Sequence, residues 1–142
     1  ACEQILHGFH RRVLKRDAKD AAALYNLGIL LATRGAHAEA IATFRSALRQ
    51  TPRDARVLFE LANVQLMTHD GDAAIDTYYR VLEVAPDYPR ARTALALALV
   101  GLERRDEALA TLEAALDREP DDAAVKSLID AIVKDAVDDR PA

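Results

Sequence analysis

The chain has 142 residues, 51% of them hydrophobic and 5% aromatic, with no tryptophan and a formal net charge of −4. That apolar content is too high for a disordered chain, and a net acidic chain lacks the basic face that phosphate neutralisation needs, so nucleic acid is not the expected partner. Alanine is abundant while glycine and proline number five each, a balance that favours helix over strand.

The charge is unevenly spread. Residues 1–71 carry 10 Lys/Arg and 7 Asp/Glu, net +3, and residues 72–142 carry 9 and 16, net −7. Two solvated ends account for this, and steering of a partner or head-to-tail association of copies is the other reading. The single cysteine, Cys2, rules out an internal disulfide framework. It stands where the anchor cysteine of a bacterial lipoprotein would stand, but the sequence shows no lipobox, and an incidental residue is the plainer reading. No apolar run approaches the ~20 residues needed to span a bilayer. The chain begins at Ala1 without methionine, as a mature form or an excised piece would. Its compartment is left open between cytoplasm and bacterial periplasm or envelope. Richness in alanine and arginine fits a bacterial source.

In chain order, residues 3–16 (EQILHGFHRRVLKR) form the first predicted helix. Three 34-residue units follow at 21–54, 55–88 and 89–122, marked by Pro52, Pro86 and Pro120 at constant spacing. Each proline precedes an acidic segment that starts the next helix, with Asp54 and Asp122 placed as N-caps and Pro89 suited to a first helical turn. Val13–Leu14 lie 34 residues before Ala47–Leu48, so the first helix reads as the second half of a preceding unit, with Ala18 in place of its proline. Residues 123–136 (AAVKSLIDAIVKDA) read as a capping helix, with Lys126, Asp130, Lys134 and Asp135 suiting a half-solvated cover for the repeat stack. Residues 137–142 read as a loose tail. The expectation is eight helices in a single domain spanning 1–142.

The columns of the repeat agree in physical type. The seventh is Leu27, Leu61 and Leu95; the eighth is small, Gly28, Ala62 and Ala96; the twentieth is Ala40, Ala74 and Ala108; the twenty-fourth is Phe44, Tyr78 and Leu112. Small residues let paired helices approach, and large ones fill the space between them. A break falls in the middle of each unit, where Gly35 suits a left-handed helix end and Glu103, in the same column, suits it poorly.

Column by column, this pattern resembles the tetratricopeptide-repeat (TPR) family. Leu24, Leu27, Gly28, Leu31, Ala40, Phe44, Ala47 and Pro52 stand at its signature positions. Departures are Gln65 and Leu99 at a tyrosine column and Val81 at an alanine column. The resemblance implies an all-α, right-handed α-solenoid of three helix–turn–helix units. Its first helices would line a concave groove through the second, fifth, ninth and twelfth columns. These are Ala22, Tyr25, Ile29 and Ala32; Arg56, Phe59, Asn63 and Leu66; and Arg90, Thr93, Leu97 and Val100, with Ala124, Ser127 and Ala131 added by the cap. The candidate peptide groove is therefore Tyr25, Ile29, Arg56, Phe59, Asn63, Leu66, Arg90, Thr93, Leu97 and Val100. It mixes apolar surface with groups able to hold a backbone or carboxylate.

The family's chaperone-tail binders use a carboxylate clamp. The corresponding positions here are Tyr25, Ile29, Glu60, Arg90 and Ala94, of which Arg90 alone is compatible, so a chaperone-tail clamp is not expected. Nor is an asparagine ladder, because Asn26 is followed in its column by Glu60 and Ala94. His7 and His10 share a helix face near Cys2, too few ligands for a metal site; His37 and His69 read as turn residues. The basic run 11–16 reads as a solvated face. No phosphate-binding glycine loop, zinc motif or nucleophile elbow occurs. The expectation is thus no enzyme, no cofactor and no metal, but a scaffold or adaptor for a protein or peptide partner. Self-association into a homo-oligomer and a passive spacer domain of a larger protein are the alternatives.

Overall fold

The computed structural model describes residues 20–138. The predicted helix 3–16, with His7, His10 and Cys2, lies outside them, as does the tail beyond residue 138. Seven helices and no strands occur among the described residues: α1 Ala21–Thr33, α2 His37–Gln50, α3 Ala55–Met67, α4 Gly71–Val84, α5 Ala91–Gly101, α6 Arg105–Arg118 and α7 Ala123–Asp138. α1/α2, α3/α4 and α5/α6 form three helix–turn–helix pairs. The chain divides into two compact units, 1–86 and 87–142, so the third pair and α7 belong to the second. α7 runs through residue 138, where the sequence reading began the tail at 137, because Val137 continues the helix without a breaker.

Starts and stops follow from single residues. The carboxylates of Asp20, Asp54, Asp70 and Asp122 accept hydrogen bonds from Ala23, Arg56, Ala73 and Val125 N–H groups at 3.1, 3.1, 3.3 and 3.1 Å, each satisfying a donor that the helix leaves unpaired. α6 starts without a side-chain cap. Instead Arg104 Nε and Nη2 donate to the two oxygens of Glu107 at 2.9 and 2.7 Å, which holds the Glu107 carboxyl below the usual carboxylate range.

The first helix of every pair ends in the same way. Ala36, Asp70 and Arg104 N–H groups reach back to the Leu31, Gln65 and Leu99 carbonyls, and Gly35, His69 and Glu103 N–H groups to those of Ala32, Leu66 and Val100. These crossed bonds form a Schellman motif, which needs positive φ at its apex. Gly35, His69 and Glu103 supply it at 82°, 63° and 61°. Only the glycine does so without cost.

The start of α5 departs from the sequence expectation. Pro89 lies before the helix and not in its first turn. Ala91 N–H bonds to the Tyr88 carbonyl at 3.3 Å, and Arg90 has φ 65° and ψ 0°. This is the third position of a type II turn, with proline at its preferred second position. The turn delays the helix to Ala91. The usual marker, glycine at the third position, is replaced by arginine.

In the first unit the core is built from Leu24, Leu27, Leu31, Phe44 and Leu48 of α1/α2, continued by Val57, Leu58, Leu61, Val64, Ile75, Tyr78 and Val81 of α3/α4. In the second unit Leu95, Leu99 and Leu112 play this part, and Val125 and Ile132 of α7 are buried as well. Each large side chain so buried contributes about 1.5–3 kcal/mol. α1 and α2 come close together at Gly28, where a Cβ would stand 2.4 Å from Cε1 of the fully buried Phe44 ring.

Two stability changes follow. Gly28→Ala is expected to lower unfolding free energy by about 1–2 kcal/mol in urea titration, since a trapped ring has nowhere to move and overpacking exceeds alanine's gain in helix propensity. Glu103→Gly is expected to raise it by about 1 kcal/mol, because the left-handed penalty goes while no contact is lost; an unchanged or lower value would contradict the strained helix end.

Candidate functional site

Six of the sequence-predicted groove residues lie in the first unit. Tyr25 and Ile29 project from α1; Arg56, Phe59, Asn63 and Leu66 project from α3. α1 and α3 touch, and toward their C-terminal ends they leave a cleft of ≈ 350 Å³. It is lined by Ile29, Ala32, Thr33, Glu60, Asn63, Val64, Leu66 and Met67. Of the predicted residues, Ile29, Asn63 and Leu66 thus meet at one surface. Leu66 and Met67 are 37% and 59% exposed, large apolar side chains left open beside the cleft.

The other three have different places. Phe59 is only 7% exposed and packs edge-on against Tyr78, ring centroids 6.0 Å apart. It belongs to the core between α3 and α4 and does not line the cleft. Tyr25 is half-buried, its ring 6.4 Å from that of Phe44. The Arg56 guanidinium carbon lies 5.2 Å from the Tyr25 ring centroid, a cation–π contact, and Arg56 Nε is 3.6 Å from an Asp54 oxygen. The pair forms a charged and aromatic patch apart from the cleft lining.

Asn63 is positioned by the core. The Tyr78 hydroxyl donates to Asn63 Oδ1, which turns the amide so that Nδ2, a two-proton donor, is the group left to meet an occupant. Burial and, secondarily, the Glu60 carboxylate push the Tyr78 phenol up to about 12. The same two causes in the same order raise Tyr25, offset in part by Arg56. The Glu60 carboxylate thus acts on both tyrosines.

The remaining predicted residues, Arg90, Thr93, Leu97 and Val100, lie at or on α5 in the second unit. Arg90 is the left-handed turn residue. The Thr93 hydroxyl donates to the Arg90 carbonyl at 2.9 Å, Val100 is half-buried, and Leu97 is 54% exposed. Thr33, Glu60, Val64 and Met67 line the cleft without having been expected there. The signal was available: the groove columns stop at the twelfth position, but the same i, i+3 and i, i+4 face continues through the sixth, tenth and thirteenth.

The fold defines an all-helical chain of tandem helix–turn–helix repeats, and its candidate site lies between the first helices of two successive repeats. Two family models, both described as tetratricopeptide repeat, match residues 9–55 and 65–132, and the chain belongs to that family. None of the curated proteins matches it. Among solved structures it is similar to MamA, at TM-score 0.74 and 23% identity over 88% of this chain and 79% of that one. It is also similar to the Yersinia enterocolitica type III secretion translocator chaperone SycD, at TM-score 0.74 and 20% identity, covering 83% and 95%. The first TPR of Spaghetti (RPAP3) bound to the HSP90 peptide SRMEEVD gives TM-score 0.75 and 18% identity, covering 84% and 95%. At such identities the likeness is one of fold. Among the described residues no helix is long and apolar enough to cross a membrane, and no group of three or more His, Cys, Asp or Glu is arranged to hold a metal ion.

The Tyr78 shift sets a pH dependence. Between the ordinary tyrosine value of 10.0 and about 12, the unfolded chain loses the phenol proton and the folded chain keeps it. Stability from this group is therefore complete below pH 10.0 and falls as pH rises toward about 12. In urea titrations across that range, Tyr78→Phe is expected to show a shallower alkaline decline than the wild type; identical slopes would show that Tyr78 is not the group responsible.

Proposed function

We propose that this chain is a protein-interaction scaffold, not an enzyme, whose first unit holds a short peptide or helix of another protein in the cleft between α1 and α3. The observation that carries this reading is the cleft itself: exposed Leu66 and Met67 and half-buried Ile29 surround an amide donor fixed from the core. A few convergent polar groups in an apolar concavity are what a peptide segment fits. Two of the structural neighbours carry peptides: SycD in complex with a peptide of the translocator YopD, and the RPAP3 repeat domain with its HSP90 peptide. Their fold is shared here, which supports a peptide as the kind of ligand. The particular HSP90 peptide is disfavoured, because Tyr25, Ile29, Glu60 and Ala94 stand at its clamp positions and Glu60 would repel an acidic tail.

The test is selection of random peptides about a dozen residues long, enough to span the cleft extended or as about three helical turns, followed by fluorescence anisotropy. Peptides retained by the wild-type chain are expected to bind the doubly substituted Leu66→Ser/Met67→Ser chain at least about tenfold more weakly. Both side chains are exposed, so the melting temperature should stay nearly constant. Equal binding by a folded double variant would remove the cleft as the site. Mass that grows with concentration in light scattering, without peptide retention, would favour the self-association reading. No retention and a strict monomer would favour the spacer reading.

A further inference from the structure

We infer that Met67 is an oxidation site that controls the cleft: a peroxide converts its thioether to the sulfoxide, and the cleft then releases its peptide; this rests on the peptide site proposed above. Met67 is the chain's one methionine. It is the last residue of α3, it is 59% exposed, and it lines the cleft with Asn63 and Leu66. Packing within the repeat does not require it. Its column reads Thr33, Met67 and Gly101, and at Gly101 a Cβ would meet nothing within 4 Å. An apolar side chain at so open a column is buried only when something covers the cleft. A thioether there adapts to the shape of an occupant, and while the cleft is empty it stands open to a small oxidant.

The step is a two-electron oxidation by hydrogen peroxide. A sulfur lone pair attacks one peroxide oxygen, the O–O bond breaks and an S–O bond forms. The departing hydroxide takes the proton from the transferred oxygen and leaves as water, so one peroxide gives one sulfoxide and one water. Two consequences meet in the cleft. The wall that Met67 shares with Leu66 becomes polar at one end, and covering it then requires desolvating the sulfoxide. Asn63 lies one helical turn before Met67, at i, i+4 on the same face. Its Oδ1 is taken by the Tyr78 hydroxyl, which leaves the N–H donors of Nδ2 for an occupant. The sulfoxide oxygen is an acceptor, and it competes with a peptide carbonyl for those donors. The buried side chains of α3 carry no sulfur, so the fold survives the change.

The experiment uses the full chain carrying Cys2→Ser, which leaves Met67 as its one sulfur, and peptides free of Met, Cys and Trp taken from the random-peptide selection. The chain is treated with hydrogen peroxide, the excess is destroyed with catalase, and conversion is read by mass spectrometry. Met67 is expected to oxidise within about threefold of its rate in the urea-unfolded chain, and more slowly with a retained peptide bound. The oxidised chain should bind at least about tenfold more weakly at an unchanged melting temperature, and methionine sulfoxide reductases A and B should restore the affinity. Met67→Leu should bind like the untreated chain and ignore peroxide, whereas Met67→Gln should bind weakly without it. If the Leu66→Ser/Met67→Ser chain loses the peptides but the fully oxidised chain keeps them, control by oxidation is overturned and the peptide site stands. If that double variant binds equally, or no peptide is retained, the peptide site falls, and control by oxidation with it. Oxidation confined to the unfolded chain, or a melting temperature lowered enough to account for the lost binding, would also overturn it.

Discussion

The geometry of each helix pair depends on a reversal of the chain within four residues. At Gly35, His69 and Glu103 the backbone turns left-handed, and two crossed hydrogen bonds lock the end of the first helix to the start of the second. This fixes where the second helix lies, and so where its large side chain falls. In the first pair the result is a phenylalanine ring directly over a glycine. In the second the corresponding tyrosine finds an amide oxygen on the facing helix. Two of the three turns pay for this geometry with a non-glycine residue at positive φ, a cost of about 1–2 kcal/mol each, offset by the burial that a close helix pair makes possible.

How much of this was legible in the sequence depends on the kind of position. The seventh, eighth, twentieth and twenty-fourth columns were readable because close packing fixes their volume in every repeat. Left-handed Glu103 was also readable, since its column contains Gly35. The type II turn at Tyr88–Ala91 was not, because arginine holds the position where glycine would have signalled it. Phe59 was misplaced for a different reason. Its column faces the concave groove in an idealised repeat, but the ring packs against Tyr78, and periodicity alone cannot say which aromatic partner wins. Glu60 and Met67 stand in the sixth and thirteenth columns, outside the four groove columns of the family pattern, so that pattern does not point to them.

Gln65 shows how a departure from the family pattern is accommodated. It is a buried polar residue, 5% exposed, in a column otherwise held by Leu31 and Leu99. Its Oε1 lies 2.7 Å from the Thr77 hydroxyl oxygen. Threonine also occupies Thr77's column in the other repeats, where Thr43 and Thr111 donate to the Glu39 and Glu107 carbonyls of their own helices at 2.7 and 2.8 Å. The Thr77 hydroxyl lies 2.9 Å from the Ala73 carbonyl in the same way, and in the second pair it is also within reach of a side chain from the facing helix. The amide is therefore buried beside a partner, and the pair escapes the roughly 1–3 kcal/mol that an unsatisfied buried group costs.

The same contrast between fixed and free columns separates the residues that fold the chain from those left free to line its surface. Leu27, Leu61 and Leu95 are one residue type, as are Ala40, Ala74 and Ala108, because each faces a space of set volume. The sixth column reads Asn26, Glu60, Ala94, and the ninth reads Ile29, Asn63, Leu97. No packing demand ties these residues together, so charge and polarity vary there without cost to the pairs beneath them. Asn63 is the exception that links the two sets: it lines the cleft and is also held by a core tyrosine. Changing Asn63 would disturb the cleft lining and the core together, whereas Leu66 and Met67 are exposed. On the proposed reading, a change of partner would fall on exposed positions of the first helices, with the turns and the small–large packing left as they are.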